Sequence, residues 1–543
     1  MGGAEDVWGG ATRAARFHYR KGRDVNRALC NSCKSWVPAD RVTRDGKVYL
    51  KKTCPKCGVT EALVSSDAAR HNLKRDLDPG FDHRDCGAVQ CTECSYHRRP
   101  TYAFVDVTNR CNLNCPMCAD SVASHNFAFD PPLEHFRRIF EHLQQFDPLP
   151  TVALFGGEPT VREDLIEIIK LARSYGLDVR VLTNGLKLAD EEYCRKLVAA
   201  RPHLLVSYDG CKPATYAQLR RSPKVLDQKR KAVENLGKCR RARVSYVTCL
   251  AWGLNHKEVP DILEFCHRQR DILHGIYLMP LVQVWESDEF SYTPDRMTTE
   301  DVERFVAECF PDYNVQFISL GVASHFTKVA QYLGRGALPY PGTHPNCESF
   351  YLLISDGQKY LPVDYYLKKP FPEVAREFVK LEERLVAREK RWETSAIGRF
   401  LRVVHLRTFF LKFIGRLNIL GAVRRSVRFS RFFKGKGLGK AYHAFMGTVE
   451  LLFRRKSRAV RERHMTAQDV LRIIVLPLED DPIVETDRLG RCPSVHVYYD
   501  PRTGDFKYVP VCSWRFFNKR ILGELAACYS AKAPAEKAEA AVL

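Results

Sequence analysis

Three cysteines on one short segment are the residues of this chain with the most distinctive chemical potential. Cys111, Cys115 and Cys118, called here the cluster triad, have three and then two residues between them. Three thiolates at this spacing can bind three irons of a 4Fe–4S cubane, whereas such clusters are normally held by four cysteines. The fourth iron is then open, so the spacing predicts a cluster that binds a second molecule. A zinc knuckle is the alternative interpretation of three cysteines alone.

Small polar residues follow three predicted strands beyond the cluster triad. The first of these strands ends in a turn of two glycines, a glutamate and a proline. Glycines let the backbone approach a ligand closely, and a carboxylate can accept a hydrogen bond from an ammonium group. Polar residues at the carboxyl ends of parallel strands are where α/β barrels carry their sites. The residues concerned are Gly156, Gly157, Glu158, Pro159, Asn184, Ser207 and Asp209.

The cluster triad and the ordered turns behind it resemble the radical S-adenosylmethionine (radical SAM) superfamily. The resemblance implies that the amino and carboxylate groups of SAM chelate the open iron. It also implies that an electron from the cluster cleaves SAM to a 5′-deoxyadenosyl radical, which abstracts hydrogen from unactivated carbon. The positions that the resemblance assigns to SAM are Met117 near the adenine, Gly156–Pro159 at the amino group, and Asn184, Ser207 and Asp209 at the ribose or carboxylate.

Two Cys-x-x-Cys knuckles lie near the N-terminus. The pairs are Cys30 with Cys33 and Cys54 with Cys57, and twenty residues separate them. Two knuckles at this separation form a tetrahedral sulfur site, as in zinc ribbons or rubredoxins. Zinc would make the site structural, whereas iron could transfer electrons, and the sequence does not distinguish the two metals.

Two further groups of metal-ligating residues predict auxiliary sites. One group directly precedes the first predicted barrel strand, and the other flanks strand-like segments far downstream. We therefore expect one or two auxiliary 4Fe–4S clusters beside the SAM-bound 4Fe–4S cluster, with mononuclear iron or zinc at the knuckles. The two groups are Cys86, Cys91, Cys94 and His97, and Cys347, Cys492 and Cys512.

The run Asp85–Asp120 resembles one radical SAM family in particular, the tetraether lipid synthases and their relatives. That family has paired knuckles, a cysteine-rich stretch ending in histidine, and nearly the same motif around the triad. This chain departs from it at Tyr102, often a cysteine in the family, so that Cys86 is the candidate replacement ligand. It departs again at Ala119–Asp120, where the family usually has Phe-Ala. The resemblance implies carbon–carbon coupling of alkyl chain ends of membrane lipids, and the departures leave room for another substrate.

Six short apolar runs alternate with amphipathic stretches, from Tyr102–Val107 to Ile276–Leu281. This alternation predicts repeated βα units around a parallel sheet. We predict an α/β fold: a partial or full (β/α) barrel of parallel strands, a small N-terminal Cys-rich metal-binding domain, and a C-terminal α+β auxiliary-cluster region with a basic helical insertion. The predicted regions are 1–100 (metal-binding), 101–290 (barrel), 291–370 (barrel completion and auxiliary cluster), 371–465 (basic helices), 466–530 (strands) and 531–543 (disordered tail).

The positive charge of the chain is concentrated in one segment. The net charge is +21, from 85 Lys and Arg against 64 Asp and Glu, and residues 391–465 hold 19 Lys or Arg and only 3 Glu. Basic residues interleaved with bulky apolar ones are typical of helices in a membrane interface. A solvated helix face and RNA binding are the alternatives. We predict lipid and an anionic membrane surface as partners, ahead of nucleic acid.

The expected cellular setting follows from two absences. Residues 1–20 lack an apolar signal core, and the chain has no run of about 18 apolar residues. The metal-ligand spacing of the cysteines favours reduced thiols. We expect a cytoplasmic protein, peripheral at the inner face of the membrane, that receives electrons from a donor such as ferredoxin or flavodoxin.

Three functions are compatible with the sequence. The first is a radical SAM enzyme that couples lipid alkyl chains, as in the family that the motif resembles. The second is a radical SAM enzyme that modifies RNA or a peptide gripped by the basic segment. The third is a non-enzymatic zinc protein that binds partners through its knuckles.

Overall fold

The computed structural model describes residues 26–77, 100–283, 292, 294–333, 343–396, 400, 403, 406–452 and 457–530. The predicted ligand group Cys86, Cys91, Cys94 and His97 and the tail 531–543 lie outside these residues. The strands are β1 Arg27–Leu29, β2 Trp36–Arg44, β3 Lys47–Cys54, β4 Gly58–Ser65, β5 Tyr102–Thr108, β6 Thr151–Gly156, β7 Asp178–Thr183, β8 His203–Ser207, β9 Arg243–Leu250, β10 Leu273–Pro280, β11 Ile318–Ser319, β12 Ser349–Ser355, β13 Tyr360–Pro362, β14 Val470–Val475, β15 Ser494–Asp500 and β16 Asp505–Pro510. The α-helices are α1 Ala68–Asp76, α2 Leu133–Leu143, α3 Leu165–Ser174, α4 Glu191–Ala199, α5 Pro213–Arg220, α6 Val225–Lys238, α7 Val259–Arg268, α8 Thr299–Glu308, α9 Thr327–Tyr332, α10 Val363–Tyr366, α11 Phe371–Thr394, α12 Arg407–Ser426, α13 Gly437–Leu452, α14 Ser457–His464, α15 Thr486–Leu489, α16 Val511–Trp514 and α17 Asn518–Ser530.

Strands β5 to β10 form the parallel sheet that the alternating pattern predicts. Each strand pairs in parallel with the next one along the chain, and helices lie in the connections. All six predicted strands are present, and the predicted α/β class is confirmed. Parallel strands that follow one another in this way bring all their carboxyl ends to one rim.

Alternate residues of each strand point to opposite sides of the sheet, and the helices pack on one of these sides. On β5, Val105 and Val107 are buried in one cluster with Phe136 and Phe140 of α2. Removing a side chain of this size from water contributes about 1.5–3 kcal/mol. The intervening residues of β5, such as Asp106, therefore face the concave side of the sheet.

The C-terminal strands complete the barrel sheet from both sides. Strand β14 pairs in parallel with β10, and β15 pairs in parallel with β5. The strand order of the described residues is β11-β12-β14-β10-β9-β8-β7-β6-β5-β15-β16, with β13 beside β12. This order is an open path, so the barrel of the described residues is partial rather than closed.

The N-terminal strands β1 to β4 form a separate antiparallel sheet. The side chain of Arg41 on β2 reaches across to Glu485 and Asp487, beside and within α15. Lys34 forms a second ion pair, with Asp481 at 3.0 Å. The metal-binding sheet is thus held by charges against the segment that leads into the C-terminal strands.

The basic segment is helical, as predicted, over α11 to α14. Helix α12 packs on α9 and α11, where Ile419 and Ala422 are buried with Val329, Leu381 and Leu385. Within the described ranges, no helix is long and apolar enough to cross a membrane.

Candidate active site

The cluster triad lies on the loop that leaves β5 at the rim of the sheet. Asn109 fixes the base of this loop, because its Oδ1 accepts from the backbone N–H of Phe129 and its Nδ2 donates to the carbonyl of Phe127, both at 2.8 Å. The backbone N–H of Cys118 donates to the carbonyl of Cys115 at 3.2 Å, which makes the second half of the loop a tight turn. The three half-buried thiols thus sit on one constrained segment.

The geometry of the triad argues against a mononuclear zinc knuckle. Four thiolates around one zinc have Zn–S bonds of about 2.3 Å, so their sulfurs lie within about 4 Å of one another. Among the described residues, only the N-terminal knuckles bring three or more ligand atoms within 4.8 Å of one another. Burial raises the pKa of Cys111 to about 12, so a metal that binds this thiol must displace its proton. The wider spacing fits a cubane with three cysteine ligands.

The Gly-Gly-Glu-Pro turn packs directly against the triad loop. The N–H of Gly157 donates to the carbonyl of Thr108, and that of Glu158 donates to the carbonyl of Arg110, both at 2.8 Å. Gly156 has φ +120°, and a Cβ on Gly157 would lie 2.3 Å from the carbonyl oxygen of Arg110. Glycine is required at both positions, because any side chain would push the two loops apart.

The carboxylate of Glu158 ties together the ends of β6 and β7. Its Oε1 accepts from the hydroxyls of Thr160 and Thr183 at 2.6 and 2.7 Å, and its Oε2 accepts from the N–H of Asn184 at 2.6 Å. Glu158 is 1% exposed, so these bonds satisfy a carboxylate that would otherwise be costly to bury. Glu158 lies directly after β6, and the hydrogen bonds described for its carboxylate are all made to the protein.

The next two predicted residues also lie at this rim. The side chain of Asn184 donates to the side-chain oxygen of Asn112 on the triad loop at 2.7 Å. The hydroxyl of Ser207 accepts from Lys229 at 2.9 Å. Met117 lies on the triad loop among apolar side chains, against the buried Leu219.

Asp209 is buried and binds Arg220, which the sequence does not single out. Arg220 donates to it through Nε at 2.8 Å and Nη2 at 3.1 Å, and the Nη1 of the same guanidinium donates to the sulfur of Cys115 at 3.4 Å. Asp209 thus orients a cation against the cluster triad. Arg220 ends α5, and its position in the sequence carries no signal of this contact.

Lys229 is a second missed residue. Its ammonium group donates to the carbonyl of Asn184 at 2.7 Å and to the carbonyl of Ser207 at 2.5 Å, so it bridges the ends of β7 and β8. Burial, and then the neighbouring Arg220, lower the pKa of Lys229 to about 7. A signal for it exists: Lys229 falls on the apolar stripe of α6 between Val225 and Leu236, where a lysine is unusual.

The concave face of the sheet is polar and aromatic near this rim. Asp106 and His496 form a buried pair, with Oδ2 and Nδ1 2.6 Å apart, and the imidazole stacks on Trp514 at 4.3 Å. Deeper in the sheet, Arg180 donates to the hydroxyls of Tyr102 at 2.8 Å and Tyr277 at 3.2 Å. These buried contacts give the concave side of the sheet a polar and aromatic character near the rim.

The N-terminal knuckles form a ready metal site. The sulfurs of Cys30, Cys33, Cys54 and Cys57 lie within 4.8 Å of one another, and those of Cys33 and Cys54 are 3.7 Å apart. Gly58 follows the second knuckle with φ +82°, which gives the sharp turn that the knuckle needs. The arrangement fits one tetrahedral zinc or iron.

The three downstream cysteines come from distant parts of the chain into one half-buried region. Arg488 donates to the sulfur of Cys347 at 3.9 Å, and Cys492 donates to the carbonyl of Ser494 at 3.0 Å. Burial first, and then the nearby Cys512 and Cys347 thiols, hold the pKa of Cys492 well above its usual value.

An ion-pair chain links the metal-binding sheet to this region. Lys34, next to Cys33, pairs with Asp481, and Asp481 also pairs with Arg515, three residues beyond Cys512. These two ion pairs share Asp481 and connect the first knuckle to the surroundings of Cys512.

Comparisons with known proteins decide the family. The radical SAM superfamily profile matches residues 105–266, which include the cluster triad and β6 to β9. Over 393 residues, the chain is 30% identical to the 7,8-dihydro-6-hydroxymethylpterin dimethyltransferase of Methanocaldococcus jannaschii, covering 68% of this chain and 75% of that protein. The chain belongs to the radical SAM superfamily. It is accordingly an enzyme that uses SAM with a 4Fe–4S cluster.

Three further similarities were found. Residues 24–66 match the HMPTM N-terminal zinc ribbon domain, which supports metal at the knuckles. The probable GTP 3′,8-cyclase of Methanothermobacter marburgensis is 30% identical over 187 residues, covering 34% of this chain and 59% of that protein. Among solved structures, SuiB of Streptococcus suis bound to S-adenosylmethionine is 15% identical, with a TM-score of 0.31 over 38% of this chain and 46% of that one.

Proposed function

We propose that this radical SAM enzyme couples alkyl chain ends of membrane lipids by forming carbon–carbon bonds. The radical step is carried by one observation, the convergence of the cluster triad, the Gly-Gly-Glu-Pro turn and the Asp209–Arg220 pair at one rim. The lipid substrate is supported by the resemblance of the run Asp85–Asp120 to the tetraether lipid synthases.

When bound, the reduced cluster with SAM supplies a 5′-deoxyadenosyl radical, which can take hydrogen from a methyl group that has no acidic proton. The cluster triad would hold three irons and leave the fourth for SAM. Arg220, fixed by Asp209, presents a guanidinium beside Cys115 that suits the carboxylate of SAM. Glu158 and Lys229 fasten the strand ends to each other, which holds these groups in register.

The coupling balances without an additional oxidant. Each of two chain ends would lose one hydrogen atom to one 5′-deoxyadenosyl radical, and the two carbon radicals would combine into the new bond. Two SAM molecules are consumed, and two electrons enter from a donor such as ferredoxin or flavodoxin. We further propose that Cys347, Cys492 and Cys512 hold an auxiliary cluster, because these three half-buried cysteines influence one another's pKa and so lie in one region.

A dihydropterin is the second candidate substrate. It is favoured by the match over 393 residues to an enzyme named as a pterin dimethyltransferase. The concave face also offers the Asp106–His496 pair and the rings of Phe104 and Trp514, which suit a flat heterocycle with polar edges.

One experiment separates the two candidates. Anaerobically reconstituted enzyme is incubated with SAM and a reductant, with either a diacyl or dialkyl lipid or 7,8-dihydro-6-hydroxymethylpterin. We expect 5′-deoxyadenosine and a lipid product lighter by two hydrogen atoms per coupled pair, measured by mass spectrometry. A Cys115→Ala variant should form neither. A methylated pterin with unchanged lipid would transfer the assignment to the second candidate.

A further inference from the structure

Helix α12 has one face that is fixed against the body of the protein. Leu411, Ile419 and Ala422 are buried, and the latter two pack in a cluster with α9 and α11. Gly415 lies in the same stripe, where a Cβ would meet the ring of Tyr332 at 2.2 Å. The orientation of α12 about its own axis is therefore determined by close packing.

The opposite face of α12 presents large apolar side chains to solvent. Phe409, Phe413, Leu417 and Leu420 are 63%, 51%, 53% and 59% exposed. Each stands two residues before a member of the buried stripe, which places it about 200° around the helix. Contiguous apolar surface of this kind on a soluble protein marks an interaction site.

Positive charge surrounds this stripe. Residues 407–440 contain ten Lys or Arg and no Asp or Glu. Nine of these cations have described side chains, and in the described part of the chain none of the nine forms an ion pair with a carboxylate. Arg416 and Arg431 instead donate to backbone carbonyls, at 2.9 and 2.6 Å. Within the described ranges, Arg425 is the one of these cations that lowers the pKa of a nearby acid, Glu377, and it forms no ion pair with it.

The next helix repeats the pattern. On α13, Leu438, Tyr442 and Phe445 occupy one helical face and are 92%, 57% and 67% exposed. Two helices of the basic segment thus expose apolar side chains, although neither is long and apolar enough to span a bilayer.

We propose that the outward face of α12, called here the docking stripe (Phe409, Phe413, Leu417 and Leu420), binds the protein to an anionic lipid bilayer, with the helix lying in the interface. Cations at the headgroups and apolar side chains at the acyl boundary are what an interfacial helix requires. Nucleic acid explains the charge and the two phenylalanines, but exposed leucines contribute nothing to phosphate binding. The inference extends the proposed function by giving the enzyme access to lipid, and the binding itself needs no turnover.

Vesicle flotation with the full chain tests this proposal. Vesicles of phosphatidylcholine alone are compared with vesicles that also contain phosphatidylglycerol, at low and high salt. We expect binding to the anionic vesicles that weakens with salt, since surface charges are screened. A Phe413→Ser/Leu417→Ser variant should bind about tenfold or more weakly, because two side chains no longer leave water.

A charge variant measures the electrostatic part. In Lys412→Gln/Arg424→Gln/Lys436→Gln, each lost cation should weaken binding about fivefold, so that the three together give a loss on the order of 100-fold. The matched control removes the same charge from the exposed barrel-helix residues and neighbours Arg195, Lys231 and Arg240, again to glutamine, and should bind like the wild type.

Three results would overturn the docking proposal. They are equal binding to neutral and anionic vesicles, equal losses in the charge variant and its control, and binding to a duplex RNA but not to vesicles. Uncoupled formation of 5′-deoxyadenosine from SAM should be unchanged in all these variants, which shows that they fold. Vesicle binding without that activity in the wild type would contradict the proposed function and leave the docking proposal standing.

Discussion

Replacing Arg220 with methionine tests the electrostatic design of the candidate active site. Asp209 is 0% exposed and receives two hydrogen bonds from Arg220, whose side chain is 13% exposed. Burial acts to raise the pKa of Asp209, but the charge and hydrogen bonds of Arg220, together with Lys229 and the N–H of Cys249, outweigh burial and hold that pKa below its usual value. Without the guanidinium, the carboxylate would keep one hydrogen-bond donor among the described residues, the N–H of Cys249 at 3.2 Å. A buried charge left without its partner costs about 3–5 kcal/mol of unfolding free energy.

A double-mutant cycle isolates this pair. Asp209→Asn keeps the size of the side chain and its acceptor toward Cys249, and it removes the buried charge. The double variant with Arg220→Met leaves no buried charge without a partner. Its loss of unfolding free energy should therefore be about 2 kcal/mol smaller than the sum of the losses of the single variants. Chemical denaturation of the cluster-reconstituted proteins, followed by tryptophan fluorescence, provides the four free energies.

SAM affinity supplies a second measurement at the same residue. If Arg220 binds the carboxylate of SAM, Arg220→Met should weaken SAM binding by about 10-fold to 100-fold, because a charge-assisted hydrogen bond contributes about 1.5–3 kcal/mol. Arg220→Lys should retain part of the SAM affinity, since lysine keeps the positive charge but lacks the paired N–H donors of the guanidinium. A stability loss under about 1 kcal/mol, or strictly additive single variants, would refute the reasoning.

Three further changes test other parts of the structure. Gly157→Ala should abolish iron binding at the cluster triad, because its Cβ would lie 2.3 Å from the carbonyl oxygen of Arg110. The control is Gly237→Ala, where no atom lies within 4 Å of the added carbon. Equal iron contents of the two variants would contradict the argument. Cys33→Ser should lose the N-terminal metal, measured by elemental analysis, and lower the protease resistance of residues 26–66. Burial lowers the pKa of His135 to about 3. As the pH falls, His135 therefore takes up a proton in the unfolded chain before it does so in the folded protein, so its contribution to the free energy of unfolding is present above about pH 6.5 and is lost as the pH falls toward 3. Between pH 7 and 5 the free energy of unfolding of the wild type should fall by about 2 kcal/mol, and that of His135→Gln should not show this loss. Equal pH dependence of the two proteins would refute this prediction.

The local chemistry of the active site could be predicted because it is encoded at short range. The cluster triad occupies eight consecutive residues, Cys111 to Cys118, and the turn at Glu158 directly follows its strand. Strand periodicity and glycine-rich turns depend on neighbouring residues alone, so the six barrel strands could also be predicted from the sequence. Lys229 could have been found by the same means, as a lysine on the apolar stripe of α6.

The sequence by itself determined the radical SAM chemistry, the metal site of the two knuckles and the α/β class. Only the tertiary structure decided that Arg220 lies against Cys115, that β14 and β15 join the barrel sheet on either side, and that one face of α12 is packed while the other is exposed. The physical reason is the same in each case. These features depend on contacts between residues far apart in the chain or on which helix face is buried, and composition and spacing carry no record of either.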